Sequence, residues 1–352
     1  METREGTRHG PGLGRRDVMT LGAGALFAVA GARLWAQGRA RGPVSVDVHT
    51  HWFPPAFIKA RAEAGAAIVT ELIPEDSDLT ARRRWMDEHG IQTHVLTLSG
   101  NMGWSFVSPE AGNRIATIVN DAASEAHQAF PDRFIGSIEL PIRDPGFALK
   151  ELNRVAGRPG MRAVHLPNSI EGRDYLFEPA FQPILERIEQ LGYPILFHPL
   201  DGEPNIYSRR LLGDVSLTNP LGFPFETATV AAKFIVTGTL DRFPKLDIVL
   251  PHSGGAFPYV AGRLQHARRA SNVPPRPIRE YLRRFHYDTM TFYPETLRFL
   301  ISLVGSDRLL IGSDNFHGMN VDEPNAMVED LNLPAADRDR ILFGNARRLF
   351  RL

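Results

Sequence analysis

Five residues suited to metal chemistry stand at the carboxyl ends of four predicted strands. They are His49 and His51 in the first strand, His198 in the fifth, His252 in the sixth and Asp314 in the eighth. Imidazole and carboxylate suit a borderline divalent ion, Zn²⁺ first, with Mn²⁺, Co²⁺ or Fe²⁺ as alternatives. The chain has no cysteine, so a tight site must use His and carboxylate. Each residue alone is a weak signal, but five in convergent positions predict one shared site.

The residue types also suggest separate roles within such a site. One ion held by His49, His51, His198 and Asp314 would leave a position for a water molecule, whose pKa the ion lowers towards ~7. Asp314 could both bind the ion and accept the proton of that water. We predict that His252 stays free of the ion and acts as a general acid and base.

The first strand is predicted from Val44 to His51. Successive side chains of a strand point to opposite faces. We therefore predict an inward polar face and an outward apolar face, formed respectively by Asp47, His49 and His51, and by Val44, Val46 and Val48. On this interpretation Asp47 is a hydrogen-bonded carboxylate behind the ligands. The alternative is an amphipathic edge strand with two solvated histidines.

Strand-like and helix-like segments alternate along the rest of the chain. Seven further strands are predicted at Thr93–Ser99, Arg133–Pro141, Met161–Pro167, Tyr193–Pro199, Leu246–Ser253, Phe285–Met290 and Leu309–Asn315. Helices are predicted at Leu79–Gly90, Pro109–Phe130, Pro145–Ala156, Glu178–Leu191, Glu226–Leu240 and Pro294–Val304, with a helical region from about Asp322 to Phe350. Eight strand–helix pairs predict a (β/α)8 TIM barrel of the metal-dependent hydrolase type, with a doubly wound sheet as the alternative. The long connections Trp52–Asp78 and Leu200–Phe225 would then border the active-site mouth.

Composition limits the classes of partner. The 352 residues include 40 basic and 40 acidic side chains, so the formal net charge is zero and nothing suggests a nucleic-acid partner. With 43% hydrophobic residues the chain can bury a large core. We predict a single barrel domain over residues 41–352.

Residues 1–40 have the order of an export signal. Arg15 and Arg16 precede an apolar run from Val18 to Ala32, and small residues follow around Ala36. The arginine pair resembles the twin-arginine type of signal, although Val18 stands where that motif usually has Phe. The run is too short to span a bilayer stably, since a span needs ~20 apolar residues. We expect cleavage near Ala36 and a periplasmic location, with a retained membrane anchor as the alternative.

Several motifs resemble the amidohydrolase superfamily. They are H-T-H, F-H-P, P-H-S-G-G-A-F-P-Y-V-A-G-R and I-G-S-D, together with G-F-P-F-E-T, L-D-R-F-P-K-L-D-I-V-L and F-G-N-A-R-R-L-F. Within it the chain resembles the branch of metal-dependent decarboxylases typified by aminocarboxymuconate-semialdehyde decarboxylase, over about residues 44–352. The resemblance implies the ligand and acid/base roles given above. The resemblance also implies a homodimer in which Arg263 reaches across the interface to a substrate carboxylate. From the sequence without the resemblance, Arg263 could equally be a solvated or ion-paired helix residue.

The chain departs from that branch at several positions. Strand four has His165 and no lysine, so the carbamylated lysine that bridges two metals in other branches is missing and one metal is implied. Ser253 stands directly after His252, where the family commonly has glycine. The I-G-S-D motif usually continues with Tyr-Pro, whereas Asn315, Phe316 and His317 follow it here. Leu200 follows His198-Pro199, where the named decarboxylase has tryptophan. The scaffold and the metal transfer by resemblance, whereas the particular substrate does not.

Further residues could face a substrate. His165 is an inward candidate on strand four, for which a buried structural role is the alternative. His317 is a candidate for substrate contact. Trp52, Phe53 and Phe223 could face a planar substrate or could simply pack.

These observations favour a metal-dependent enzyme that decarboxylates a small aromatic or unsaturated carboxylic acid. The main alternative is a hydrolase that uses the same residues on a lactone, amide or ester. A third possibility, of another class, is an exported protein that binds a metal or ligand without catalysis.

Overall fold

The computed structural model describes residues 45–66, 71–98, 100, 102–104, 107–200, 217–271, 274–316 and 318–352. They belong to one compact unit, Pro43–Leu352. The predicted export segment, Val44 and His317 lie outside the described residues. Among the helices of the described ranges, none combines the length and the apolar character that a bilayer crossing requires.

Eight parallel strands pair in chain order, so the predicted barrel is confirmed. They are β1 Ser45–His51, β2 Ile91–Thr97, β3 Phe134–Glu139, β4 Met161–Pro167, β5 Ile195–His198, β6 Ile248–Leu250, β7 Phe285–Asp288 and β8 Leu309–Leu310. Parallel bridges from Asp47 to Ile311 and from Thr50 to Asn315 join β1 to the segment that follows β8. The sheet therefore comes close to closing on itself, which brings the carboxyl ends of all strands to one mouth.

Helices follow the strands and surround the barrel. They are α1 Pro55–Glu63, α2 Pro74–Ser77, α3 Leu79–Glu88, α4 Pro109–Ala129, α5 Pro145–Val155, α6 Gln182–Leu191, α7 Phe223–Val236, α8 Thr239–Arg242, α9 Phe257–Ser271, α10 Ile278–Leu282, α11 Pro294–Val304, α12 Pro324–Glu329, α13 Ala335–Asp339 and α14 Asn345–Phe350. Two capping residues explain sharp starts: Ser108 accepts the Ala111 N–H of α4 at 3.2 Å, and Asp144 accepts the Phe147 N–H of α5 at 2.8 Å. In both helices proline occupies the first turn, where its missing N–H costs nothing.

The interior of the barrel is filled by small and branched apolar side chains. Seven strands contribute to this cluster: Val46, Val48, Val95, Ile135, Ala163, Leu196, Val249 and Leu310. A larger cluster, with members such as Ile138 and Phe234, packs the strands against the helices. The predicted metal site must therefore lie beyond this interior cluster, at the mouth where the strands end.

The predicted facing of β1 is wrong for its middle residues. Val46 and Val48 point into the barrel, whereas Asp47 lies on the helix side, 3.7 Å from His94 Nε2. The reason is that an eight-stranded barrel fills its interior with apolar side chains. The pairing of β1 with β2 shifts register between Asp47 and Thr50, so the simple alternation does not continue to the mouth.

Strands β6 and β8 end earlier than predicted. Left-handed residues follow both strands: the φ angles of His252, Ser253 and Asp314 are 51°, 56° and 59°. Residues other than glycine rarely adopt this left-handed conformation, and such residues concentrate at functional sites. The left-handed residues thus lie just beyond the carboxyl ends of β6 and β8, and His252 and Asp314 are among them.

Candidate metal centre

Four side chains from different strand ends converge at the mouth. His49, His198, His252 and Asp314 each place a potential ligand atom within 4.8 Å of the others. His49 Nε2 lies 3.1 Å from Asp314 Oδ1, and His198 Nε2 lies 4.0 Å from the same oxygen. His51 Nε2 also contacts Asp314 Oδ1. The four histidines singled out from the sequence therefore lie together around the carboxylate of the fifth residue, Asp314.

In two of the histidines, the Nδ1 atom already makes a hydrogen bond. His49 Nδ1 donates to Asp288 Oδ2 at 2.7 Å, and His198 Nδ1 donates to the Pro199 carbonyl oxygen at 2.6 Å. Among the described residues, the buried His49 Nε2 has no hydrogen-bond partner although it faces Asp314. An imidazole that donates from one nitrogen and presents the other to a shared point is the arrangement of a metal ligand. The donor set thus fits a divalent cation bound by nitrogen and carboxylate.

The electrostatics also favour a cation at this point. Burial disfavours an ionised Asp314, but the neighbouring His49 and His51 outweigh burial and hold the pKa of Asp314 well below its usual value. Burial, reinforced by His49, His51 and His252, lowers the pKa of His198, so this imidazole is neutral and able to bind a metal. Burial also opposes a charge on His49, yet Asp314 and Asp288 raise its pKa to about 10. The same two carboxylates would attract a metal ion.

Asp288, at the end of β7, is a site residue that the sequence reasoning missed. Its carboxylate accepts the His252 N–H at 2.8 Å and the Ser253 N–H at 2.6 Å, in addition to the hydrogen bond from His49. It is 1% exposed. Asp288 therefore supports the left-handed backbone that carries His252. An acidic residue at the carboxyl end of a predicted strand was the available signal.

His252 differs from the other histidines in its surroundings. Its Nε2 lies 3.8 Å from Asp314 Oδ2, and its side chain is 15% exposed. Within the described ranges its Nδ1 makes no hydrogen bond. His252 also forms part of the wall of a cavity of about 430 Å³. Its position is compatible with proton transfer to a bound substrate and also with metal ligation, so its acid/base role stays a prediction.

Asp47 acts on the site through Ser313. Its carboxylate accepts the Ser313 hydroxyl, and it accepts the backbone N–H groups of Ser313 and His49 at 3.1 Å each. Burial raises the pKa of Asp47 to about 7, while these hydrogen bonds oppose the rise. Because Ser313 precedes Asp314, Asp47 fixes the turn that presents the proposed carboxylate ligand.

The remaining candidates occupy varied positions. His165 points into the barrel and donates from Nδ1 to Glu139 Oε1 at 2.6 Å. Trp52 and Phe53 are buried in apolar clusters, which is the packing alternative. Phe223 is buried with its ring centroid 6.3 Å from that of His198.

Arg263 lies on α9 and is exposed. Its proposed reach to a second copy of the chain stays a prediction.

Known proteins resemble this chain over most of its length. A family model described as amidohydrolase matches residues 46–352. Gamma-resorcylate decarboxylase of Rhizobium sp. (strain MTP-10005) is 31% identical over 284 residues, which cover 77% of this chain and 86% of the relative. The 2-amino-3-carboxymuconate-6-semialdehyde decarboxylase of Dictyostelium discoideum is 25% identical over 329 residues, 86% of this chain and 90% of the relative.

Two solved structures also resemble this chain over most of its length. A 2,6-dihydroxybenzoate decarboxylase in complex with 2,6-dihydroxybenzoate superposes with a TM-score of 0.76 at 29% identity, over 88% of this chain and 99% of that one. A dihydroxybenzoic acid decarboxylase from Polaromonas sp. JS666, with bound manganese and the inhibitor 2-nitroresorcinol, gives a TM-score of 0.76 at 28% identity, over 88% and 97% of the two chains.

Proposed function

The chain belongs to the amidohydrolase family, and on that premise we propose that it is a metal-dependent decarboxylase of an aromatic carboxylic acid. The observation that carries this proposal is the convergence of His49, His198, His252 and Asp314 within 4.8 Å at the barrel mouth. Relatives named as decarboxylases of dihydroxybenzoate and of carboxymuconate semialdehyde support the reaction class.

We propose that His49, His51, His198 and Asp314 hold one divalent ion. A bound ion supplies positive charge that binds substrate oxygen atoms and offsets the negative charge that develops during the reaction. Zn²⁺ suits the donor set, and Mn²⁺ is the ion named in the Polaromonas relative's structure. Both ions belong in the first assays.

In the proposed reaction His252 donates a proton to the ring carbon that carries the carboxylate. The bond from that carbon to the carboxylate carbon then breaks, its electron pair returns to the ring, and CO₂ leaves. Water returns a proton to His252. Asp314, 3.8 Å from His252 Nε2, stabilises the protonated imidazole before the transfer.

Two further proposals concern the oligomeric state of the protein and its export. The exposed position of Arg263 on α9 suits a guanidinium that grips the substrate carboxylate of a second copy in a homodimer. The order of residues 1–40 supports export to the periplasm through a twin-arginine-type signal.

A product assay tests the function. The purified protein, loaded with Zn²⁺ or Mn²⁺, would be given 2,6-dihydroxybenzoate and related phenolic acids in one series, and lactones and esters in another. We expect CO₂ and the matching phenol from the first series. Acid release from the second series without any CO₂ would reassign the site to hydrolysis, and turnover of neither would contradict the proposal.

A further inference from the structure

An apolar cavity of about 430 Å³ lies beside His252 at the mouth of the barrel. Its walls come from chain segments after β5, β6, β7 and β8, including Pro224, Tyr259, Phe292 and Phe299. His252 is shared between this cavity and the group around Asp314. A substrate held against Asp314 and His252 therefore has a direct route into the cavity.

The cavity is larger than one aromatic ring requires. An apolar cavity of about 150 Å³ is enough to hold benzene. At about 430 Å³ this space has nearly three times that volume. An unsubstituted dihydroxybenzoate would leave most of this cavity unfilled. The volume therefore indicates a substrate with a sizeable substituent.

The chemistry of the walls specifies the kind of extension. Within the described part of the chain, no Asp, Glu, Lys or Arg lines the cavity. Its polar side chains besides His252 and Ser253 are Asn219, Thr291 and Thr296, with phenolic Tyr259 at the rim. A second charged group would lose its hydration there without gaining a partner. An alkyl chain or second ring would instead lose only unfavourable contact with water.

The rim of the cavity is unusually apolar for an exposed surface. Tyr259, Phe292, Phe299 and Met319 line it and are 84%, 45%, 42% and 37% exposed. Exposed apolar side chains that gather around a concave site are typical of ligand-binding grooves. The rim therefore extends the apolar path outward from His252.

We propose that the substrate is a phenolic acid bearing a bulky apolar substituent, either an alkyl chain of several carbons or a second aromatic ring, which lies in this cavity. This inference rests on the proposed function, because it places the reacting end of the substrate at Asp314 and His252. It adds the substituent as the main determinant of specificity.

Binding of the decarboxylated products tests the proposal without requiring turnover. Resorcinol and its 5-methyl, 5-propyl and 5-pentyl derivatives would be titrated into the protein, with and without added Zn²⁺, by calorimetry. Full burial of a methylene strengthens binding about fourfold. We expect affinity to rise at least about tenfold from methyl to pentyl, since four methylenes are added. Equal or falling affinity along the series overturns the proposal.

Turnover then separates the two proposals. The 6-alkyl-2,4-dihydroxybenzoates and 4-alkyl-2,6-dihydroxybenzoates present the same chains from two ring positions. We expect kcat/KM for CO₂ release to rise with chain length in at least one series. Release from the short acids without any gain from the chain overturns the apolar-substituent proposal and keeps the decarboxylase. Chain-dependent binding without CO₂ release from any member contradicts the decarboxylase and keeps the apolar site.

A substitution in the wall provides a matched test. Thr296 lines the cavity from an exposed position of α11, so Thr296→Trp should fold and fill part of the space. We expect it to lower the ratio of pentyl to methyl affinity about tenfold, that is, to remove the gain from about two buried methylenes. Glu295→Trp places the same side chain one residue earlier, also exposed but outside the wall, and should leave the ratio unchanged. An unchanged ratio in Thr296→Trp, or an equal loss in both variants, would remove the cavity from the proposal.

Discussion

Asp288 and His49 are joined by a buried hydrogen bond of 2.7 Å between His49 Nδ1 and Asp288 Oδ2. The same oxygen accepts the backbone N–H of His252 at 2.8 Å. One carboxylate thus fixes a proposed metal ligand and the proposed acid/base residue at once. Because His49 donates from Nδ1, its Nε2 lone pair is left for the centre of the mouth.

Replacing Asp288 should weaken the metal site. Asp288→Asn keeps the shape of the side chain but removes the negative charge beside His49. Loss of such a supporting acceptor typically costs 10- to 100-fold in metal affinity, and we expect a loss of about that size. Titration of the metal-free protein with Zn²⁺ against a chelating indicator measures it. Asp330→Asn, at an exposed position on the described surface, is the control and should bind as the wild type does.

The roles of His252 and His51 can be separated by one pair of variants. His252→Ala should retain the metal and lose about 10² to 10⁴ in kcat, the range expected for a general acid. His51→Ala should lose both, because His51 is proposed as a ligand of the ion beside Asp314. Elemental analysis after dialysis, combined with CO₂ release, reads both quantities. If His252→Ala lost the metal and His51→Ala kept it, His252 would be a ligand of the ion in place of His51. The position of His252 in the four-residue group allows that arrangement.

Glu226 should make stability fall as pH rises. Burial, opposed by the hydrogen bond from Ser169 and reinforced by Asp174, raises the pKa of Glu226 from 4.5 to about 7. The folded protein therefore binds a proton more tightly than the unfolded chain between about pH 4.5 and 7. Its stabilising contribution is full below pH 4.5 and is lost as pH rises through 7, by roughly 3 kcal/mol.

Glu226→Gln tests this pH dependence. The neutral amide should make the variant gain stability relative to the wild type between pH 5 and pH 8, seen as a shift of the urea midpoint. Glu295→Gln, an exposed carboxylate, should show no such relative gain. A relative loss of stability for Glu226→Gln at pH 8 would show that Glu226 is ionised in the fold and paired favourably.

The sequence predicted the barrel and the five convergent residues because both depend on strand ends, which apolar runs reveal. Met161–Pro167 and Pro294–Val304 have the predicted bounds. The facing of Val46 and Val48 was wrong because the interior of a barrel is apolar and the register of β1 shifts near the mouth. Asp288 was missed because its importance lies in contacts with residues 36 and 239 positions away, which a single sequence does not show.

The cavity beside His252 was equally hidden from the sequence. Tyr259 and Phe299 belong to helices whose apolar residues could pack inward or line a site. Only the fold reveals that both border the same space. Long-range contacts, rather than local patterns, therefore determine the part of the site that selects a substrate.

Gly312 should be intolerant of a side chain because it lies between the two residues of the central hydrogen bond. A Cβ at this position would lie 2.7 Å from Asp288 Cβ and 3.1 Å from His49 Cβ, closer than packed carbons approach. Gly312→Ala must therefore push β8 away from β7 or β1, which we expect to cost about 1–3 kcal/mol. It should also weaken Zn²⁺ binding, since His49 and Asp288 are displaced.

Gly262→Ala is the control for Gly312→Ala: a Cβ at Gly262 meets nothing within 4 Å, and the residue lies in helix α9. That variant should gain about 0.5–1 kcal/mol, because alanine favours a helix over glycine. Urea denaturation and metal titration of both variants measure the difference, and unchanged stability and metal affinity in Gly312→Ala would show that β7 and β8 are not packed as closely as the structure places them.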